Sequence, residues 1–85
     1  MYLHLGKGRL VDAGEIVGVF DLDNSSQSHI TRKYLSQAEK AGQVINVSED
    51  IPKSFVVCFD GESRRLYLCQ MAAATLLKRA ETGLL

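Results

Sequence analysis

Ser54-Phe55-Val56-Val57-Cys58-Phe59, Asp60-Gly61-Glu62-Ser63 and Arg64-Arg65-Leu66-Tyr67-Leu68-Cys69 follow one another directly in the chain. The outer two stretches are rich in β-branched, aromatic and aliphatic residues. The middle one is polar and holds Asp-Gly, a strong local hairpin signal. The stretch therefore predicts a β-hairpin, with the loop length left open. Lys53 stands at its base after Pro52, Arg64-Arg65 beside its turn, and Lys78-Arg79 on the Ala/Leu-rich segment that follows. A hairpin with cations at base and turn, docked on a terminal helix, suits binding a polyanion better than it suits catalysis.

Working outward, the terminal helix is expected over about Met71 to Thr82, with Ala73, Leu76, Leu77 and Ala80 as its packing stripe and Gly83 as its stop. Upstream, Gln43–Val47 reads as a strand, and a polar loop from Glu49-Asp50 ends at Pro52. A helix is expected from about Ser26 to Ala41, capped by Asn24 with Gln27 three residues on, packing through Ile30, Tyr34, Ala38 and Ala41 and stopped at Gly42. Glu15–Asp21 is apolar on both faces, which predicts a central, covered strand, and Gly18 within it predicts a bulge or a close backbone approach. Tyr2–Leu5 and Arg9–Val11 are two short strands about the Gly6-Lys7-Gly8 turn. The predicted order is β-β-β-α-β-β-β-α: an α+β fold in which a small, twisted, mainly antiparallel sheet packs with two helices.

At 85 residues the chain is read as a single domain over 1–85, with no internal repeat, linker or low-complexity segment. A domain of this size buries only roughly 60–65% of the surface its unfolded chain exposes, so further burial through self-association would add stability. Ten Lys+Arg balance ten Asp+Glu, whereas nucleic-acid binders usually carry a basic excess. The balance is uneven, however. From Ile51 onward five cations (Lys53, Arg64, Arg65, Lys78, Arg79) face three anions (Asp60, Glu62, Glu81). A neutral protein can still present a basic face, and symmetry can repeat it. No signal-like leader and no apolar run near the roughly 20 residues of a membrane span is present, so a cytoplasmic protein with reduced Cys58 and Cys69 is expected.

Met1-Tyr2-Leu3-His4-Leu5-Gly6, Glu15-Ile16-Val17-Gly18-Val19-Phe20-Asp21, Pro52-Lys53-Ser54-Phe55-Val56-Val57 and Thr75-Leu76-Leu77-Lys78-Arg79-Ala80 together resemble the RemA/RemB proteins, small bacterial regulators of extracellular-matrix genes. The resemblance spans nearly the whole chain and lies nearest the RemB (YaaB-like) branch. It implies a compact cytoplasmic α+β protein that self-associates into rings and, by analogy with the RemA branch, binds DNA. One departure matters: the RemA branch carries adjacent arginines in the loop where this chain has Ile51-Pro52-Lys53. Two bidentate phosphate forks have become one point charge.

Each candidate has a plainer reading beside the functional one. Lys53 is either a phosphate contact on a loop anchored by a rigid strand or a solvated charge guarding an aggregation-prone strand. Arg64 and Arg65 point to opposite faces if both lie in a strand, and pairing with Asp60 and Glu62 accounts for them without any ligand. Lys78-Arg79 also complements the helix dipole. Lys7 and Arg9 flank a glycine turn that could meet phosphates, yet it lacks the Gly-Lys-Ser/Thr pattern of a P-loop and the signal is weak. His4 and His29 have no metal-ligand spacing, Cys58 and Cys69 read as small core hydrophobes, and Ser25, Ser26 and Ser28 as capping residues.

The residues, together with what the resemblance implies, predict a DNA-binding transcriptional regulator of extracellular-matrix or biofilm genes, acting as a ring-like homo-oligomer larger than a dimer. The expected DNA-binding residues are Lys53, Arg64, Arg65, Lys78 and Arg79. No catalytic or metal residue, cofactor, membrane contact or small-molecule substrate is expected. The competing reading is a ring-forming protein scaffold that does not bind DNA.

Overall fold

The computed structural model describes residues 2–22 and 28–82. In chain order these form β1 (Tyr2–Gly6), β2 (Arg9–Asp12), a 3-10 turn (Ala13–Glu15), β3 (Ile16–Asp21), α1 (Ser28–Lys40), β4 (Val44–Asn46), β5 (Ser54–Phe59), β6 (Arg64–Cys69) and α2 (Ala73–Thr82). The α+β class and the order of elements are those expected. The cap at Asn24 and Gln27, Ser25 and Ser26, the stop at Gly83 and the side chains of Ser28, His29 and Ile30 lie outside the described residues.

β1 and β2 pair as a separate antiparallel hairpin, while the main sheet has the order β3-β5-β6-β4. β5 runs antiparallel to both neighbours, and β4 lies parallel to β6. The β5–β6 register runs from Ser54↔Cys69 to Phe59↔Arg64, so residues 60–63 make the loop. Asp60 closes it. Its Oδ1 accepts from the backbone N–H groups of Glu62 and Ser63, each at 2.9 Å. These two donors hold the Asp60 carboxyl below its ordinary value, Ser63 first.

The period of two along β5 and β6 builds two cores. Phe55, Val57 and Leu66 pack beneath Ala38 of α1, with Tyr34 and Leu35 beside them. Val56, Cys58, Tyr67 and Cys69 face the other way, onto Leu3, Leu5 and Val11 of the β1–β2 hairpin and Leu76 of α2. The sheet is therefore a middle layer, with α1 on one face and the small hairpin plus α2 on the other. Ser54, fully buried, donates its hydroxyl proton to the Met71 carbonyl at 2.6 Å and ties the lead-in of α2 to the sheet. Leu77, expected in the α2 stripe, is 45% exposed. It sits next to the fully buried Leu76 on the helix, about 100° away around the axis, outside a narrow contact.

The central strand is β5, and this corrects the expectation for 15–21. Among the described residues β3 is an edge strand whose sole sheet partner is β5, and Val17 is 69% exposed. The register steps from Ile16↔Cys58 to Gly18↔Val57, so Val17 is the extra residue of the bulge expected at Gly18. Apolar residues on both faces of a strand specify that something should cover them, not that this chain supplies the cover. Phe20 lies back over Gly18, where an added Cβ would meet its ring at 2.7 Å, and stacks on Phe55 with centroids 5.0 Å apart.

Gly6 joins β1 to the rest. Its φ is 136°, and a Cβ there would stand 2.9 Å from the Val47 carbonyl oxygen. Gly8 also has positive φ, 74°, but faces open space. Gly6→Ala is accordingly expected to cost about 3 kcal/mol in denaturant unfolding, from strain plus the clash, and Gly8→Ala only about 1 kcal/mol. Equal losses would refute the close-approach account.

Candidate anion-binding cleft

Three elements bring cations to one place. The β1–β2 turn holds Lys7 in the left-handed region, φ 50°, between its two glycines. The segment before β5 fixes Lys53 through its backbone: its N–H donates to the Cys69 carbonyl at 2.8 Å, and its own carbonyl accepts from the Leu22 N–H at 2.9 Å. The main chain at Lys53 is thus clamped between two other segments while its side chain stays exposed. Arg79 comes from the last turn of α2. Lys7, Lys53 and Arg79 all line one open concavity of about 450 Å³.

The walls are built from ordered backbone. Val47 and Ser48 are buried just after β4. The Ser48 hydroxyl lies 2.7 Å from Asn46 Oδ1 and 2.9 Å from the Asp50 carbonyl, with its one proton available to either. The Ser48 N–H donates to Asn46 Oδ1 at 2.9 Å, and the Ile51 N–H donates to Asp50 Oδ1 at 2.8 Å. Leu5, Val47 and Met71 supply apolar lining, and His4, Glu49 and Gln70 supply further polar groups. The Glu49 N–H donates to Gln70 Oε1 at 3.3 Å. Three cations against one carboxylate leave the cleft locally positive in a chain of zero net charge.

Of the five residues expected at a DNA site, Lys53 and Arg79 meet here. Lys78 is exposed on α2 but does not line the cleft. Arg64 and Arg65 stand at the far end of the β5–β6 hairpin, about 20 Å from Lys53 at ~3.4 Å per strand residue. They take opposite faces. Arg64 lies over the Tyr34 ring at 5.0 Å and reaches Gln43 Oε1 at 3.5 Å. Arg65 Nη2 lies 3.4 Å from Glu15 Oε1 and 3.9 Å from Asp60 Oδ2. Lys7 belongs to the glycine turn read as a weak phosphate candidate, outside the five expected residues, while His4, Glu49 and Gln70 were not expected at the site. The left-handed Lys between two glycines was the one local signal for Lys7, and nothing local marked the others.

The thiols lie elsewhere and are inert. Cys58 and Cys69 are free and buried in the core. Burial pushes Cys58 up from about 9 to about 11, with nearby Arg65 opposing and Glu15 reinforcing. Burial, with Cys58 nearby, pushes Cys69 to about 12. Among the described residues no three His, Cys, Asp or Glu side chains gather as a metal site. No described helix is long and apolar enough to cross a membrane.

Because the native thiols hold their protons longer than unfolded ones, their contribution to stability is complete below about pH 9. It is lost as pH rises from 9 through 11 to 12. The Cys58→Ala/Cys69→Ala double variant should be less stable at pH 7 yet lose less stability between pH 9 and 11 than the parent. Chemical denaturation across that range checks it, and parallel curves would refute it.

A model of the RemA-like family, described as extracellular matrix regulatory protein A-like, matches residues 2–80. The chain is also 32% identical over 81 residues to extracellular matrix regulatory protein B of Bacillus subtilis (strain 168), covering 95% of this chain and 91% of that protein. The chain belongs to this family of extracellular matrix regulatory proteins.

Proposed function

We propose that the chain is a DNA-binding transcriptional regulator of extracellular-matrix genes, working as a ring-like homo-oligomer larger than a dimer. The observation that carries the reading is the convergence of Lys7, Lys53 and Arg79 on one open cleft. Each is a phosphate-pairing group, and each neutralised phosphate releases condensed counterions. One cleft per subunit gives weak binding, and a ring that repeats the cleft multiplies it through avidity. Few side chains there suit base edges, so selectivity would rest on the shape and bendability of the duplex. Arg64, Arg65 and Lys78 would serve as outlying contacts where the duplex extends beyond the cleft.

Self-association is supported by the open edge of β3. Val17 and Phe20 are exposed on this edge strand, an arrangement that invites a neighbour. A ring uses a heterologous contact that closes by rotation. Sedimentation should find a species larger than a dimer at micromolar concentration. Val17→Lys should shift it toward monomer without unfolding it, and a monomeric parent would refute the ring.

The second reading, a ring scaffold that touches no DNA, is favoured by the zero net charge and by the engagement of Arg65 with Glu15 and Asp60. A salt titration of duplex binding separates the two. The parent should bind at low salt and weaken steeply as salt rises. Lys53→Glu should bind about tenfold more weakly and flatten the log–log salt slope by about 1, whereas Arg64→Glu should change affinity less than about threefold. If Arg64→Glu were the more damaging change, the hairpin turn would be the site. Absence of salt-sensitive binding by the parent would leave the scaffold reading standing.

A further inference from the structure

The cleft holds more than a strip of positive charge, and its other features do not match a duplex backbone. Glu49 adds a carboxylate to the lining, and a DNA backbone has no donor group to meet it. Leu5, Val47 and Met71 give an apolar surface that a phosphodiester chain has no group to cover. The volume of about 450 Å³ falls in the range, roughly 300–1,000 Å³, of sites that take small molecules. A duplex presents a convex surface that can rest on the rim of such a concavity without filling it.

A single small molecule would use all of these groups at once. Lys7, Lys53 and Arg79 pair a phosphate. The Glu49 carboxylate accepts from hydroxyl groups, and the Gln70 amide offers a donor and an acceptor. The apolar lining takes the face of a ring. A phosphate joined to a hydroxylated sugar and a flat heterocycle carries these three chemistries in one ligand. The walls are set in advance by Gly6 against the Val47 carbonyl, by the clamped backbone of Lys53 and by the Ser54–Met71 hydrogen bond, so little ordering is required on binding.

We infer that this cleft binds a phosphorylated small molecule of the nucleotide class, one per subunit, whose phosphate occupies the same cations as DNA and so excludes the duplex. The inference rests on the reading of the rim cations as a phosphate site and adds to it a regulatory ligand, not a substrate to be transformed. Competition of this kind weakens apparent DNA affinity by a factor of one plus the ratio of ligand concentration to its dissociation constant, about tenfold when the ligand stands at ten times that constant.

The full chain is titrated, at ionic strength matched with sodium chloride, with AMP, ribose 5-phosphate and inorganic phosphate while backbone amide resonances are followed, and duplex binding is then measured with and without AMP. AMP should saturate one site per subunit, perturb residues 4–8, 47–53 and 70–71, bind about tenfold more tightly than inorganic phosphate, and displace the duplex. Lys7→Asn, which keeps a residue tolerant of the left-handed region, should weaken AMP about tenfold. Glu49→Gln should shrink the ratio of AMP to inorganic phosphate affinity, and Lys33→Gln, exposed on α1 across the sheet, should leave AMP affinity unchanged. Duplex binding with no AMP response beyond that of sodium chloride overturns the ligand inference and leaves the DNA reading intact. Saturable AMP binding without any duplex binding upholds the ligand site and overturns the DNA reading. Equal affinities for all three phosphates overturn the nucleotide class, and no binding by any of them or by DNA removes both.

Discussion

Burial of β5 on both faces is the constraint on which the rest of the structure depends. From Ser54 to Cys58 every residue is buried, and the strand contributes to both cores. α1 has a surface to pack on because Phe55 and Val57 face it. The β1–β2 hairpin, too small to stand alone, is held because Val56 and Cys58 face it. A polar group at the start of such a strand must be satisfied internally, and Ser54 is, through the Met71 carbonyl. That one hydrogen bond also decides where α2 begins, and therefore where Arg79 arrives.

The cleft follows from the same strand. Lys53 is the last exposed residue before β5 enters the core, so its backbone is locked while its side chain is left in water. Its backbone has no further freedom to lose on meeting an anion, and only the side chain remains to be ordered. Lys7 is held by different means, a left-handed turn between glycines whose first member abuts the Val47 carbonyl. The proposed site is thus a by-product of core geometry at three separate junctions, where the backbone beneath each cation is set by the fold.

The parts of the fold that show local chemistry were legible in the sequence. Asp-Gly between two apolar runs marked the β5–β6 hairpin, the residue spacing marked both helices, and Gly18 marked the bulge. What failed depended on partners. β3 reads as central because its faces are apolar, yet apolarity states a need for cover and does not say which chain provides it. β4 pairs in parallel with β6 over three residues, a pairing without a turn signal. Half of the cleft was legible as well. Pro52-Lys53 stood out before a buried strand, but its meeting with Lys7 and Arg79 depends on how three distant segments stack, and no spacing along the chain encodes that.

Net charge proves a poor guide to such a site for a physical reason. Exposed charges separated by more than a Debye length, about 8 Å at physiological ionic strength, are largely screened from one another. An anion at the cleft therefore responds to Lys7, Lys53, Arg79 and Glu49, and hardly at all to Arg64 and Arg65 about 20 Å along the hairpin. Arg65 is in any case occupied by Glu15 and Asp60. Ten cations and ten anions that sum to zero over the chain can thus leave one concave face positive, and the sum by itself does not exclude it. Repetition of that face around an oligomer would set many weakly positive clefts at fixed spacing. A polyanion spanning several of them would be held far more tightly than a single phosphate group in one cleft, so most of the strength toward a polyanion would lie in the assembly.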